Sequence, residues 1–297
     1  MLESLALPIV RYALSEDVGT GDITTLNAIP SGVKVRAVIQ AKAAGVIAGL
    51  DVARLTFREA DPALKWKARL NDGDAVEPGV ALAQITGDIG GLLKAERTAL
   101  NFLQHLSGVA SLTRCFVQAV AGTGATILDT RKTTPGLRFL EKYAVKCGGG
   151  DNHRLALWDM YLVKDNHIRA AGGVTAAIER IVRTRQPDLL LEIEVESMDQ
   201  LAEALRPEVD RILVDNRSPA EVTRAVEVVD RWCAGHPSDS PRRRPEARRW
   251  PEVEVSGGIT LDTARAFAST GVDYLSVGAL THSAPGLDLS LEIEEVG

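Results

Sequence analysis

The chain has 297 residues, with 34 Lys and Arg against 40 Asp and Glu and a net charge of −6. At 45% hydrophobic and 25% charged it lies outside the composition of disordered chains, and its acidic balance counts against a nucleic-acid binder, whose footprint is basic. Aromatics are only 4%, so the core must rest on Ala, Val, Leu and Ile, in a chain long enough for two domains.

Cys115, Cys147 and Cys233 are odd in number and far apart, which suggests neither a disulfide framework nor a zinc site. The N-terminal segment lacks a cationic leader, and no apolar run approaches the ~18 residues of a membrane span. A reduced, cytoplasmic protein is expected.

In chain order, Leu2–Leu14 carries apolar residues at helical spacing and the acidic stretch Glu16–Asp22 ends it. Residues 33–40 alternate like a half-buried strand, 50–60 read as a helix, and 64–70 and 80–86 as strands. Asn71-Asp72-Gly73-Asp74 and Glu77-Pro78-Gly79 are turn signals. This is an α+β pattern. A long helix over about 92–120 follows, and then short apolar strands alternate with helices. Strands are expected at 126–128, 161–163, 189–195, 211–214, 253–255 and 274–277, and helices at 137–146, 174–185, 198–205, 219–232 and 261–269. Repeated β-α units imply parallel strands, in a barrel or an open doubly wound sheet.

In a barrel the active site gathers at the C-terminal strand ends. Each expected strand ends in polar or Gly-rich residues: Asp129-Thr130-Arg131-Lys132, Lys164-Asp165-Asn166-His167, Glu194 with Glu196, Asp215-Asn216, Ser256-Gly257-Gly258, and Gly278-Ala279. Any one could be ordinary loop polarity. Six in succession favour one shared site.

Residues 233–251 break the rhythm with Pro, Ser and Arg. They read as a solvated, partly disordered rim loop. The competing reading is a basic arm for nucleic acid, since five of the eight residues 242–249 are Arg, but no aromatics are interleaved.

Between Asp129 and His167 seven Lys and Arg face five Asp and Glu, a local balance of 7 − 5 = +2 in an acidic chain. That points to a small anionic ligand. Arg131 can fork onto a carboxylate or phosphate, while Lys132 and Lys164 act as point charges. Lys142 and Lys146 are better read as helix-face ion pairs. Gly148-Gly149-Gly150, followed by Asp151-Asn152-His153-Arg154, reads as a loop that lets backbone approach a ligand and delivers two cationic side chains. Ser256–Gly258 and Val277–Ala279 are late βα turns suited to phosphate. Glu192, Glu194 and Glu196 alternate along one strand and share a face, where they need cations or metal as partners. With Asp215 they could bind sugar hydroxyls, hold Mg²⁺ or stabilise a developing cation, and a purely structural ion-pair layer stays open for Glu192 and Glu196.

The block DTRKTTPGLRFLEKYAVKCGGGDNHRLALWDMYLVKDNHI at 129–168 closely resembles the quinolinate phosphoribosyltransferase family. The similarity continues, in order, in EDVGTGDITT (16–25), AERTALNFLQHLSGVAS (95–111), EIEVES (192–197), ILVDN (212–216), EVSGGIT (254–260) and YLSVGALTHS (274–283). Residues 233–251 are longer than the family's usual connection. The resemblance implies an open six-stranded α/β barrel at 111–283 and an N-terminal α/β sandwich domain at 1–110, to which the C-terminal segment 284–297 returns. It implies that quinolinate and phosphoribosyl pyrophosphate give nicotinate mononucleotide, pyrophosphate and CO₂, with Mg²⁺ carried by the donor. Arg131, His153, Arg154 and Lys164 would surround the quinolinate carboxylates. Thr130 would be among the substrate-binding residues, and Lys132 and His282 would serve the donor with Ser256, Gly257, Gly258, Val277, Gly278 and Ala279. Glu194 and Asp215 would hold the ribose, and Lys132, Glu194 and Asp215 would carry the chemistry. Arg97 would reach the partner's site in a homodimer. A same-fold paralogue linked to molybdenum uptake, a nicotinate-using enzyme and a non-catalytic phosphate-ligand binder are the alternatives.

Overall fold

The computed structural model describes residues 2–237, 240–243, 245 and 247–296. The first elements along the chain are α1 (Leu2–Val18), α2 (Ile23–Ala28), β1 (Lys34–Ala41), β2 (Gly45–Val46), α3 (Leu50–Ala60), β3 (Lys65–Ala68), β4 (Ala75–Val76), β5 (Ala81–Asp88) and α4 (Ile89–Ala119). Then come β6 (Thr126–Leu128), α5 (Arg138–Gly148), β7 (Tyr161–Val163), α6 (Asp165–Ala171), α7 (Val174–Thr184), β8 (Leu191–Val195), α8 (Met198–Ala204) and β9 (Arg211–Asp215). The last are α9 (Pro219–Gly235), β10 (Glu252–Ser256), α10 (Leu261–Ala268), β11 (Tyr274–Ser276), α11 (Ala279–His282) and β12 (Leu289–Val296). Among the described residues no helix is long and apolar enough to cross a membrane.

The chain divides into two compact units. One holds Met1–Arg114, Lys132–Gly150 and Ala279–Gly297, and the other Cys115–Arg131 and Asp151–Gly278. Lys132–Gly150, expected with the barrel, thus clusters with the N-terminal segment.

In the first unit β12, β1, β5 and β3 form a sheet in that order, with antiparallel neighbours. The C-terminal segment therefore does return to the N-terminal sheet. β1 alternates because one face packs into a cluster with Ile39, Phe57, Leu82, Ile85, Leu92 and Leu103. α1 buries Ala6, Val10 and Leu14, one stripe at i, i+4, i+8. α2 was not legible in the pattern because it buries no residue. Its signal is the cap instead: Asp22 accepts from the Thr24 and Thr25 N–H groups.

The second unit is a six-stranded parallel sheet in the order β6-β11-β10-β9-β8-β7, an open barrel whose two edges are its first two strands. In register, Glu192 lies beside Arg211 and Arg211 beside Glu252, while Glu254 lies beside Tyr274. Residues in register share a face, and the pleat repeats every two. One face thus carries Glu192, Glu194, Arg211, Asp215, Glu252, Glu254, Ser256, Tyr274 and Ser276. The other carries Ile193, Val195, Ile212, Val214, Val253, Val255 and Leu275, all buried, as a layer covered by helices must be.

Several expectations need correction. β8 ends at Val195, so Glu196 lies beyond it and is exposed; its N–H donates to Gln200 and its carbonyl accepts from Arg217. Residues 165–167, expected as loop, open α6, and the Lys164 N–H donates to His167 Nδ1. The Gly148–Gly150 run is not a flexible loop: Gly148 ends α5 against α4, Gly149 caps it at φ 93°, and the Gly150 N–H donates to Val145. Of the two lysines expected as helix-face ion pairs, Lys142 is fully buried and Lys146 is exposed. Residues 233–251 are largely folded down. Arg242 pairs with buried Asp210, which Arg185 also meets, and Arg249, itself buried, pairs with Asp230 and Asp273. Arg244 and positions 238, 239 and 246 of the same segment lie outside the described residues.

Candidate active site

The barrel unit gathers most of the expected residues at the C-terminal strand ends. Thr130 and Arg131 follow β6 and are half-buried. Lys164 follows β7, and its Nζ lies 2.6 Å from Glu194 Oε2 on β8. Burial raises the pKa of Glu194 and nearby Asp215 adds to the rise, while Lys164 opposes both. Asp215 ends β9, half-buried, and accepts from Asn216 Nδ2 at 2.6 Å. Ser256 ends β10. Gly257 then takes φ 101°, and a Cβ there would stand 2.1 Å from Asn216 Oδ1, so only glycine fits. Gly258 is exposed, Gly278 is half-buried, and the Val277 N–H donates to Leu128 at 2.9 Å.

His153 and Arg154 enter through the segment that joins β6 by a bridge from Asp151 to Leu128. Asp129, fully buried, accepts the His153 N–H at 3.0 Å. The ring of His153 is buried, with Nε2 3.0 Å from Glu192 Oε2 and 3.4 Å from Glu254 Oε1. Nδ1 accepts the backbone N–H of Arg154 at 2.8 Å. That acceptor needs a lone pair on Nδ1, so the ring proton sits on Nε2, facing the carboxylates. Burial lowers the ring's pKa, and the charges of Glu254 and Glu192 raise it by more. The Arg154 N–H works against the second proton that this pull would add. Arg154 itself is half-buried, and burial and the charge of Arg131 lower its pKa. Two guanidiniums whose like charges act on one another are suited to a dicarboxylate.

Below the rim lies a charged layer that pattern reading missed. Glu254 accepts from Arg211 NH1 at 2.9 Å and from Ser276 Oγ. Glu252 accepts from the Tyr274 hydroxyl at 3.1 Å, and Arg211 Cζ stands 4.0 Å over the Tyr274 ring. The signal was present: Glu252-Val253-Glu254-Val255-Ser256 alternates just as Glu192–Glu196 does. Nε2 of His153 and one oxygen each of Glu192 and Glu254 lie within 4.8 Å of one another, a spacing a metal could bridge. The Nε2 proton and the Arg211 guanidinium already supply positive charge there.

The remaining expected residues belong to the other unit. Lys132 is exposed, and its carbonyl accepts from Thr281 Oγ1 at 2.7 Å. The Thr134 N–H donates at 3.0 Å to Glu141, a fully buried carboxylate whose other oxygen lies 2.8 Å from His105 Nε2. Ala279 begins α11 and His282 ends it, exposed, with Nδ1 2.6 Å from Ser283 Oγ. Arg97 is exposed on α4.

Comparison with known proteins finds relatives that match over nearly the whole length. Residues 22–107 match the family described as quinolinate phosphoribosyl transferase, N-terminal domain, and residues 109–292 the corresponding C-terminal domain. The chain is 44% identical to the nicotinate-nucleotide pyrophosphorylase (carboxylating) of Mycobacterium leprae, over 96% of this chain and 95% of that one. It is 39% identical to quinolinate phosphoribosyltransferase (decarboxylating) 1b of Nicotiana tabacum, over 96% and 81%. Among solved structures, the nicotinate-nucleotide pyrophosphorylase of Francisella tularensis superposes with a TM-score of 0.88 at 34% identity, covering 98% of this chain and 97% of that one.

Proposed function

The chain belongs to the quinolinate phosphoribosyltransferase family, and from that membership we propose that it makes nicotinate mononucleotide, pyrophosphate and CO₂ from quinolinate and phosphoribosyl pyrophosphate, a step of NAD biosynthesis. The observation that carries the reading is the family match across both halves of the chain. The half-buried Arg131 and Arg154 beside one another suit a dianionic acceptor.

Arg131, His153, Arg154 and Lys164 orient quinolinate through its carboxylates. The ring nitrogen attacks the anomeric carbon of the donor, and the bond to pyrophosphate breaks with its electron pair on the leaving oxygen. Glu194 and Asp215 hold the ribose hydroxyls, and their negative charge stabilises the cationic sugar at the transition state. The alkylated ring nitrogen is then cationic and accepts the electrons left when the adjacent carboxylate departs as CO₂. That carbon takes up a proton. The protein's task in this step is orientation. Lys132 and His282, with the Ser256–Gly258 and Val277–Ala279 turns, serve the phosphates of the donor, and Thr130 is a further substrate-binding residue.

Mg²⁺ enters with the donor's pyrophosphate and would neutralise charge on the leaving group. Glu194 on β8 and Asp215 at the end of β9, carboxylates on one sheet face, are the oxygen donors that fit a hard cation. A homodimer in which Arg97 completes the partner's site, and a cytoplasmic location, belong to the same proposal. The test is to supply quinolinate, the donor and Mg²⁺ and follow quinolinate absorbance, mononucleotide and CO₂ together. Turnover of nicotinate instead, or binding without turnover, would overturn the reading.

A further inference from the structure

Glu192, Glu252, Glu254, Arg211 and the His153 ring are all buried in the barrel unit. A structural layer could be built from Arg211 with Glu252 and Glu254 alone, since Arg211 reaches both. Glu192 lies beside Arg211 in register and feels its charge, but its side-chain contact is elsewhere: it is fully buried, and its Oε2 lies 3.0 Å from the protonated Nε2 edge of His153. Holding a carboxylate there is costly unless it does something.

The other edge of the ring gives the use. Nδ1 accepts the N–H of Arg154, the residue next in the chain, at 2.8 Å. The same stretch is fixed by Asp129 at the His153 N–H, and by Asp159, which accepts the Leu155 N–H at 2.6 Å and the Ala156 N–H at 2.8 Å. Fixing is needed, because Arg154 stands against the like charge of Arg131.

We propose that Glu192 and Glu254 are positioning residues for quinolinate binding: they keep the His153 proton on Nε2, which leaves Nδ1 to hold the Arg154 backbone and so sets where its guanidinium enters the site. Neutral amides in their place remove that preference. The ring then also populates the Nδ1–H form, whose proton meets the Arg154 N–H head-on and displaces it. This rests on Arg154 as a quinolinate ligand.

The test uses the full chain with Glu192→Gln and, separately, Glu254→Gln. Nitrogen NMR of the His153 ring, assigned against His153→Gln, reads the tautomer without any turnover. The wild type is expected to carry its proton on Nε2, and each variant to show a mixture. The KM for quinolinate should rise about tenfold in Glu192→Gln, equivalent to about 1.4 kcal/mol, with the KM for the donor changed less than about twofold. A structural role alone would lower stability without this split. An Nδ1-protonated ring in the wild type, or an unchanged quinolinate KM in folded Glu192→Gln, would overturn the proposal. Should Glu254→Gln not fold, Glu192→Gln carries the test alone. Failure of the proposed reaction appears separately, as a wild type that does not turn over quinolinate while the tautomer result stands.

Discussion

Glu254 sits among the ring of His153, the guanidinium of Arg211 and the hydroxyl of Ser276, with no exposure to solvent. Burial pushes its pKa up, and the neighbouring His153, Arg211 and Ser276 hold it down, to about 2. An acid whose folded pKa lies below its unfolded one stabilises the fold in its ionised form. That contribution is whole above pH ~4.5 and is lost as the pH falls toward 2. Glu254→Gln is therefore expected to lower the melting temperature at pH 7 by about 5–10 °C, because Arg211 keeps a weaker partner. The gap to wild type should narrow as the pH is taken from 5 to 3 in a thermal melt series. A gap that stays constant would mean that Glu254 is not ionised in the fold. Rim residues behave otherwise. Lys132 is exposed and Glu194 meets a partly exposed Lys164, so Lys132→Ala and Glu194→Ala should stay folded yet lose most turnover. Turnover near the wild-type level in either purified variant would remove its assigned role.

Among the elements, the crossing of α4 and α5 leaves no room for a side chain at Gly148. A Cβ on Gly148 would stand 2.4 Å from the Ala110 carbonyl and 2.6 Å from Thr113 Cβ. Both neighbours belong to α4, and the nearest atom is backbone, which cannot rotate away. Gly148→Ala should cost about 1–3 kcal/mol of overpacking and lower the melting temperature by several degrees. An unchanged melt would show that the helices separate freely. The Gly-rich run shows where sequence legibility stopped. Its composition is visible, but the same three glycines would suit a loop, a cap or a helix crossing, and only the neighbour across the crossing decides. The strands were legible because their outer faces are apolar on every second residue, as at Ile193, Val195, Val253 and Val255. The inner charged layer was hidden for the complementary reason: Arg211 and Glu252 each look like ordinary surface residues until strand register sets them side by side. In residues 233–251 the arginines looked solvated because their acids, Asp210, Asp230 and Asp273, come from distant stretches of chain.

For the whole molecule, the net charge of −6 and the proposed binding of two polyanions are compatible because the sum and the site are different quantities. Acids such as Glu252 and Glu254 are consumed inside the barrel by Arg211, while Arg131 and Arg154 stand at strand ends with like charge. Arg97 is exposed on α4, in the unit that does not contain the parallel sheet. If it serves a second copy, as proposed, each site in a symmetric dimer takes Arg97 from one subunit and Glu194 from the other. Arg97→Ala and Glu194→Ala should then each be inactive alone. Mixed in equal amounts and allowed to exchange subunits, half of the dimers are hybrid, and each hybrid holds one intact site and one doubly damaged site. Recovery of about a quarter of wild-type turnover is expected, at unchanged KM for both substrates. If instead Arg97 acts within its own subunit, every site in the mixture keeps one lesion, and activity stays at the level of the separate variants however long exchange proceeds.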